Sequence, residues 1–327
     1  MCAFGVTGCS DDATTTTKDS ATTKDDGGTT ADTGPKPEIN CKDNTCNTFV
    51  VSRLVLPTTQ EEARRFGYDY DGNTINDNAL GSIITAIAGA LGQNFQIQPT
   101  VDATVYSGKA ILLFEVQNTS LSSDPASVLQ AHIGEQKACC PGNEDDPNKC
   151  KAAATAEGGC FSGSGTFTVA ATSPKDAIIK GAITGGQMAF GPAGLKLEIP
   201  LSASGKIAVN LKEARIKGAI TEAGITSGVI SGVIPKADVD NNIIPAVAKL
   251  LQDALDNEAV SDEAKTQIKN LFDTNKDDKI TADEVKNNSL IQAFLGGDVD
   301  VDKDGTAELS LGIGFEAVKG VIGADAN

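Results

Sequence analysis

The chain has 327 residues, with 44 Asp and Glu against 27 Lys and Arg, a formal net charge of -17, no Trp and three Tyr. Acid in such excess, with no basic stripe to offset it, argues against a nucleic-acid partner and makes cations the natural company. So few aromatic rings leave scarce platform for stacking bases or sugars, and the length suits one large core or two modest domains.

The first ten residues, MCAFGVTGCS, lack the charged n-region and full apolar h-region of a signal peptide. Val6-Thr7-Gly8-Cys9 nevertheless resembles the bacterial lipobox, whose Cys becomes the lipidated first residue. Residues 10–38 are Thr, Ser, Asp and Gly with almost nothing to bury, and read as a disordered tether. A leash directly after a candidate anchor predicts a place in the cell envelope, held at the outer membrane through Cys9, or secretion. A lipid anchor is expected rather than a transmembrane span, since no segment is long and apolar enough to cross.

Beyond Cys2 and Cys9 the cysteines fall into a pair, Cys41 and Cys46, and a quartet, Cys139, Cys140, Cys150 and Cys160. Even local groups with no His among them point to disulfides and an oxidising compartment. The quartet allows three pairings. The adjacent Cys139 and Cys140 are poor partners for each other, because backbone geometry resists that bridge.

TFVVSRLVLP reads as a strand ended by Pro57, and Thr59 caps a short helix through Phe66. From Asn76 to Leu91, the apolar residues Leu80, Ile83, Ile84, Ile87 and Leu91 keep helical spacing. From Phe95 to about Ile234 the pattern turns to alternating and short apolar runs: VDATVYSGKAILLFEVQNTSL, GTFTVAA, LKLEIPL and GKIAVNLKEARIKGAI all read as strands. IIKGAIT at Ile178 is echoed by RIKGAIT at Arg215, which suggests equivalent strands of one sheet, facing each other across a sandwich. A helix starts near Ile243 with Val247, Leu250, Leu251 and Leu255 on one side. Another opens at Ser261 with Ile268, Leu271 and Phe272 as its stripe, and Ser289 restarts a third. The expected fold is α+β: a disulfide-containing, mainly antiparallel and sandwich-like β domain over 39–234, then a helical calcium module over 235–327.

Acidic loops carry the chemistry. From Asp273, the oxygen donors Asp273, Asn275, Asp277, the Lys279 carbonyl, Thr281 and Glu284 stand at positions 1, 3, 5, 7, 9 and 12. This is the set that wraps a chain around Ca2+, a hard ion wanting six to eight oxygens. The stretch from about 261 to 295 resembles an EF-hand, with Asp278 where the sharp turn normally takes Gly. Asp300, Asp302, Asp304, Gly305 and Glu308 fit positions 1, 3, 5, 6 and 9 of a second loop, but position 12 is Leu311, so Asp298 is a candidate for the missing carboxylate. After this loop the exit helix is expected only from about Phe315. Asp69, Asp71, Asn73 and Asp77 around Gly72 form a third, shorter-framed candidate, equally readable as an Asx turn and helix cap.

Catalytic constellations are weak. His132 is the only His, Gly163-Ser164-Gly165 reads as a plain turn, and no nucleophile elbow, zinc ligand set or phosphate loop appears. The favoured reading is a non-enzymatic, calcium-stabilised structural or binding module of the bacterial surface, with an envelope protein or polymer as partner. The alternatives are a carboxylate-based secreted hydrolase, or a lipid- or peptide-binding envelope protein. DYDGNTINDNALG, Asp69 to Gly81, resembles a signature in secreted lipoproteins of myxobacteria and their relatives. That resemblance implies an envelope location and carries no activity.

Overall fold

Eight strands, all antiparallel, close into one barrel, and each is hydrogen-bonded to its neighbours on both sides. The computed structural model describes residues 39–41, 45–91, 97–144, 146–202, 205–258 and 260–323, all within one compact unit. Cys9 and the expected tether lie outside the described residues.

The wall begins with β1 (Cys46–Val55), β2 (Leu112–Gln117) and β3 (Ser123–Ile133), paired in that order. Helices α1 (Gln60–Phe66), α2 (Ala79–Leu91) and α3 (Gln98–Tyr106) are inserted between β1 and β2. Thr59 caps α1 as expected, its Oγ1 accepting from Glu62 N–H at 3.1 Å. The strand expected over VDATVY is instead helix α3. Ile97, Val101 and Val105 recur every fourth residue and are buried together, and Pro99 sits in the first turn where its missing N–H is harmless.

After β3 comes α4 (Pro147–Thr155), fastened by Cys139–Cys160 and Cys140–Cys150, and then β4 (Thr166–Phe167). The third disulfide joins Cys41 to Cys46. β5 (Ile178–Thr184), β6 (Gln187–Ser202), β7 (Gly205–Thr221) and β8 (Gly224–Ile234) continue the barrel. The echoed segments flank β6 on either side. Ile179 and Ile183 of one copy and Ile216 and Ile220 of the other are buried, while Lys180 and Lys217 face outward. With Phe114, Leu129, Met188 and Phe315, these side chains fill the barrel, as an eight-stranded wall permits.

A helical excursion follows: α5 (Lys236–Asp238), a π-helical turn over Val239–Ile243, then α6 (Ile244–Asp256), α7 (Asp262–Phe272), α8 (Ala282–Asn287) and α9 (Ser289–Leu295). Ser261 caps α7 through Ala264 N–H. Ile268 and Phe272 are buried as expected, whereas Leu271 is exposed.

The sandwich with a C-terminal helical module is overturned by what comes next. Residues from Leu309 onward return as β9 (Leu309–Lys319), paired with both β1 and β8, and β10 (Val321–Ile322) pairs with β4. The expected exit helix at Phe315 is therefore a strand, and it is the one that closes the barrel. Its run of Leu309, Leu311, Ile313, Phe315 and Ala317 points inward. On the outer side, Gly312 and Gly314 lie directly beneath Phe66 and Asn78; the strand alternation already present in AELSLGI runs on through Phe315 and Ala317, where a helix was expected.

A Cβ at Gly312 would fall 2.2 Å from the Phe66 carbonyl oxygen, whereas one at Gly194 would meet nothing within 4 Å. Denaturant titration should find Gly312→Ala destabilised by about 2–3 kcal/mol and Gly194→Ala within roughly 0.5 kcal/mol of the parent.

Candidate metal centres

Three Asp-rich loops share one backbone. In each, the first Asp accepts from the N–H groups four and five residues on: Asp69 from Asn73 and Thr74, Asp273 from Asp277 and Asp278, Asp300 from Asp304 and Gly305. In each, the residues three and five positions on have positive φ: Gly72 and Thr74, Lys276 and Asp278, Lys303 and Gly305. The fifth side chain then accepts from the N–H two further on, Asn73 from Ile75, Asp277 from Lys279 and Asp304 from Thr306. Asp278 takes the left-handed conformation that a Gly would adopt freely, at φ 63°.

The loops at Asp69 and Asp300 match further. Tyr68 pairs with Asp77, and Val299 pairs with Glu308, so both carry an acid at position 9 bridged to the residue before the first Asp. The frame at Asp69 is thus the same as that at Asp300. Aligned, DYDGNTINDNALG and DVDKDGTAELSLG share the acids or amides at positions 1, 3, 5 and 9 and end on the same Leu-Gly. What hid this in the sequence is the Gly, at position 4 in one loop and position 6 in the other, and the unlike residues between positions 5 and 9, Thr74-Ile75-Asn76 against Gly305-Thr306-Ala307.

These two loops also meet. Asn78 Nδ2 donates to the Gly312 carbonyl and Asn78 Oδ1 accepts from Gly312 N–H, both at 2.9 Å, and Ala79 N–H donates to Ser310 Oγ at 2.7 Å. Asp298 serves this junction rather than completing the loop at Asp300. The residue is exposed as a whole, but its carboxyl turns onto Ser310, accepting from N–H and Oγ–H. Burial raises the Asp298 pKa and the Asp71 charge adds to the rise, while the Ser310 hydrogen bonds oppose it. Burial likewise raises Asp77, helped by the charges of Asp71, Asp298 and Asp69 and opposed by Tyr70 N–H.

Carboxylate oxygens of Asp69, Asp71 and Asp77 lie within 4.8 Å of one another, as do those of Asp300, Asp302 and Asp304. Such groups can hold a divalent ion. The two clusters differ in what already neutralises them. Lys212 of β7 places Nζ 2.8 Å from Asp302 and 2.7 Å from Glu308, the latter with a side chain only 5% exposed. Hydrogen bonds to Asp302 and Glu308 push the Lys212 pKa up, and the same ammonium holds Asp302 low. Among the described residues no Lys or Arg is paired with Asp69, Asp71 or Asp77. Arg215 lies nearby, but over the Tyr68 ring, 4.2 Å from its centroid.

The loop at Asp273 is closed differently. Glu284 is buried, with Oε1 accepting from Thr274 N–H and Oγ–H and from Asn275 N–H, and Oε2 accepting from Thr281 N–H and Oγ–H. Burial would raise its pKa, but the hydrogen bonds from Thr281, Asn275 and Thr274 outweigh it and hold the carboxyl low. Asp273, Asn275, Asp277, Lys279 and Thr281 line the turn between α7 and α8. Ile280 N–H donates to Gln252 of α6 at 2.8 Å.

His132 lies on β3 and does not join any acidic loop. No helix among the described residues is long and apolar enough to cross a membrane, which leaves strands unaddressed. Compared with protein-family models, with curated proteins and with solved structures, the chain gave no match.

Lys212→Met would strand the buried Glu308 carboxylate without its ammonium. Chemical denaturation at neutral pH should show a loss of about 1–3 kcal/mol. Millimolar calcium should restore part of it in this variant, because Asp302 and Glu308 are then free to take a metal.

Proposed function

We propose that the protein is a calcium-binding, calcium-stabilised module of the bacterial cell surface, with its principal ion held by Asp69, Asp71, Asn73 and Asp77. The observation that carries this reading is the contrast between the two matched loops: one has a lysine ammonium among its acids and the other has none. Donors made only of carboxylate, amide and backbone oxygens suit a hard ion of calcium's size better than a softer transition metal. At the Asp69 loop an ion would offset the repulsion that, with burial, raises Asp77 and Asp298. It would also bind the loop more firmly to the strand that closes the barrel.

The loop at Asp273 is a second calcium candidate in the EF-hand manner. There the ion would have to draw Glu284 away from the N–H groups it now accepts from, so weaker binding is expected. Three disulfides support an oxidising compartment. Anchoring through Cys9 at the outer membrane, and an envelope protein or polymer as partner, complete the proposal. In a calcium-rich exterior even weak sites fill, and the ion is then structural rather than signalling.

Calorimetric melting against calcium and pH tests this. The raised carboxyls of Asp77 and Asp298 favour the metal-free fold below the unfolded-chain value of about 3.9, and that contribution is lost as pH rises through their folded values. Bound calcium should remove the loss. The calcium-induced shift should therefore be small near pH 4 and grow toward pH 7. It should reach about 5 °C, roughly 2.7 kcal/mol, at free calcium a hundredfold above Kd. Asp77→Asn should abolish most of the shift and Asp302→Asn should leave most of it. Equal melting with calcium and with chelator at pH 7 would end the proposal.

A further inference from the structure

Four reactive groups converge away from the acidic loops, on the outer face of β1, β2 and β3. The register sets Cys46 opposite Gln117 and Thr48 opposite Glu115, so Cys46 and Glu115 share that face. Cys46 is bridged to Cys41, and Glu115 Oε1 lies 3.0 Å from Cys41 Sγ. One donor atom each from Cys41, Cys46 and Glu115 lies within 4.8 Å of the others. Behind them stands His132, the chain's only His. Its Nε2 is 3.5 Å from Glu115 Oε2, is sealed from solvent and has no hydrogen-bond partner.

We propose that Cys41, Cys46 and Glu115 form a redox-gated site for a thiophilic divalent ion of the zinc class. In the oxidised protein the sulfurs are bonded to each other and offer no thiolate. A small dithiol reductant opens the site: its two thiols become one cyclic disulfide, and the Cys41–Cys46 bond is replaced by two thiols. Metal binding then releases those two protons to solvent. The thiolates and Glu115 Oε1 supply three ligands, and water takes the fourth tetrahedral position. His132 acts as a positioning residue: its otherwise unpartnered Nε2, 3.5 Å from Oε2, closes on that oxygen when the metal binds and keeps Oε1 turned to the sulfurs. In zinc sites a carboxylate commonly steadies an imidazole ligand, and here the two exchange roles.

The other disulfides are unsuited to this. Cys139, Cys140, Cys150 and Cys160 are at most 5% exposed within the core, whereas Cys41 and Cys46 are half-buried and within reach of a reductant. The Cys41–Cys46 bridge also spans 5 residues, against 21 and 10 for the others, so its opening returns the least entropy to the unfolded chain. Sulfur donors select a softer ion than the acidic loops would hold, so this site is independent of the calcium reading.

The test uses the full chain carrying Cys2→Ser and Cys9→Ser, reduced stepwise with dithiothreitol under nitrogen, with alkylation and peptide mapping to follow each thiol. Co2+ is then added as the probe. Cys41 and Cys46 should be freed first, with the melting transition retained. The reduced protein should bind one Co2+ with a thiolate-to-cobalt charge-transfer band, and the oxidised protein should show none. Glu115→Gln should weaken cobalt binding at least tenfold and His132→Gln about tenfold, with thiol counts unchanged. The proposal is overturned if the freed pair gives no charge-transfer band, if Glu115→Gln binds as the parent does, or if either core disulfide opens first. Loss of the fold on opening Cys41–Cys46 overturns it too.

Discussion

Everything at the acidic end of the molecule depends on β9 being the strand that closes the barrel. Because β9 pairs with β8 on one side and β1 on the other, Gly312 and Ser310 are fixed at the barrel rim. Asn78 and Ala79 then dock on them by hydrogen bonds from side chain and backbone. That junction draws together two loops more than 200 residues apart, since the Asn78–Gly312 pair alone spans 234 positions. It also places the charge of Asp298 beside those of Asp71 and Asp77. The glycines are needed because the α1 backbone approaches too closely for any side chain at Gly312.

Electrostatics then separates two loops that share a backbone. Like charges held by a rigid frame must be protonated, paired or bridged by a cation. At Asp302 and Glu308 the frame itself provides the partner, since Lys212 projects from β7 into the cluster. At Asp69, Asp71 and Asp77 no Lys or Arg is paired among the described residues, and Arg215 is turned over Tyr68 instead. One loop is thus neutralised by the chain's own ammonium, and the other keeps its acids without a paired Lys or Arg among the described residues.

Donor softness, which decides the metal, sets the Cys41–Cys46 pair apart from the acidic loops. Hard oxygens gather at the end of the barrel where β9 begins, and sulfur lies near the start of β1. The same wall can therefore carry two kinds of site without competition between them.

Local chemistry made much of this legible in the residues alone. Thr59 and Ser261 announce their helices because a cap is a contact across three residues. The Asp273, Asp300 and Asp69 loops are visible because each turn is built from Asp and Asn bonding to backbone a few positions on. The even cysteine groups announced disulfides, since even local groups of thiols with no His among them most readily pair with each other. What the residues could not show was anything decided by distant partners. Whether Leu309–Lys319 is helix or strand rests on β1 and β8, which cover its edges, and on α1 and α2, which cover its outer face. The alternation of AELSLGI is visible in the residues, but that it continues past Phe315 and closes a barrel is decided by those partners. Whether an acidic loop is neutralised or open likewise rests on Lys212 and Asp298, placed there by barrel closure and not by any spacing along the chain.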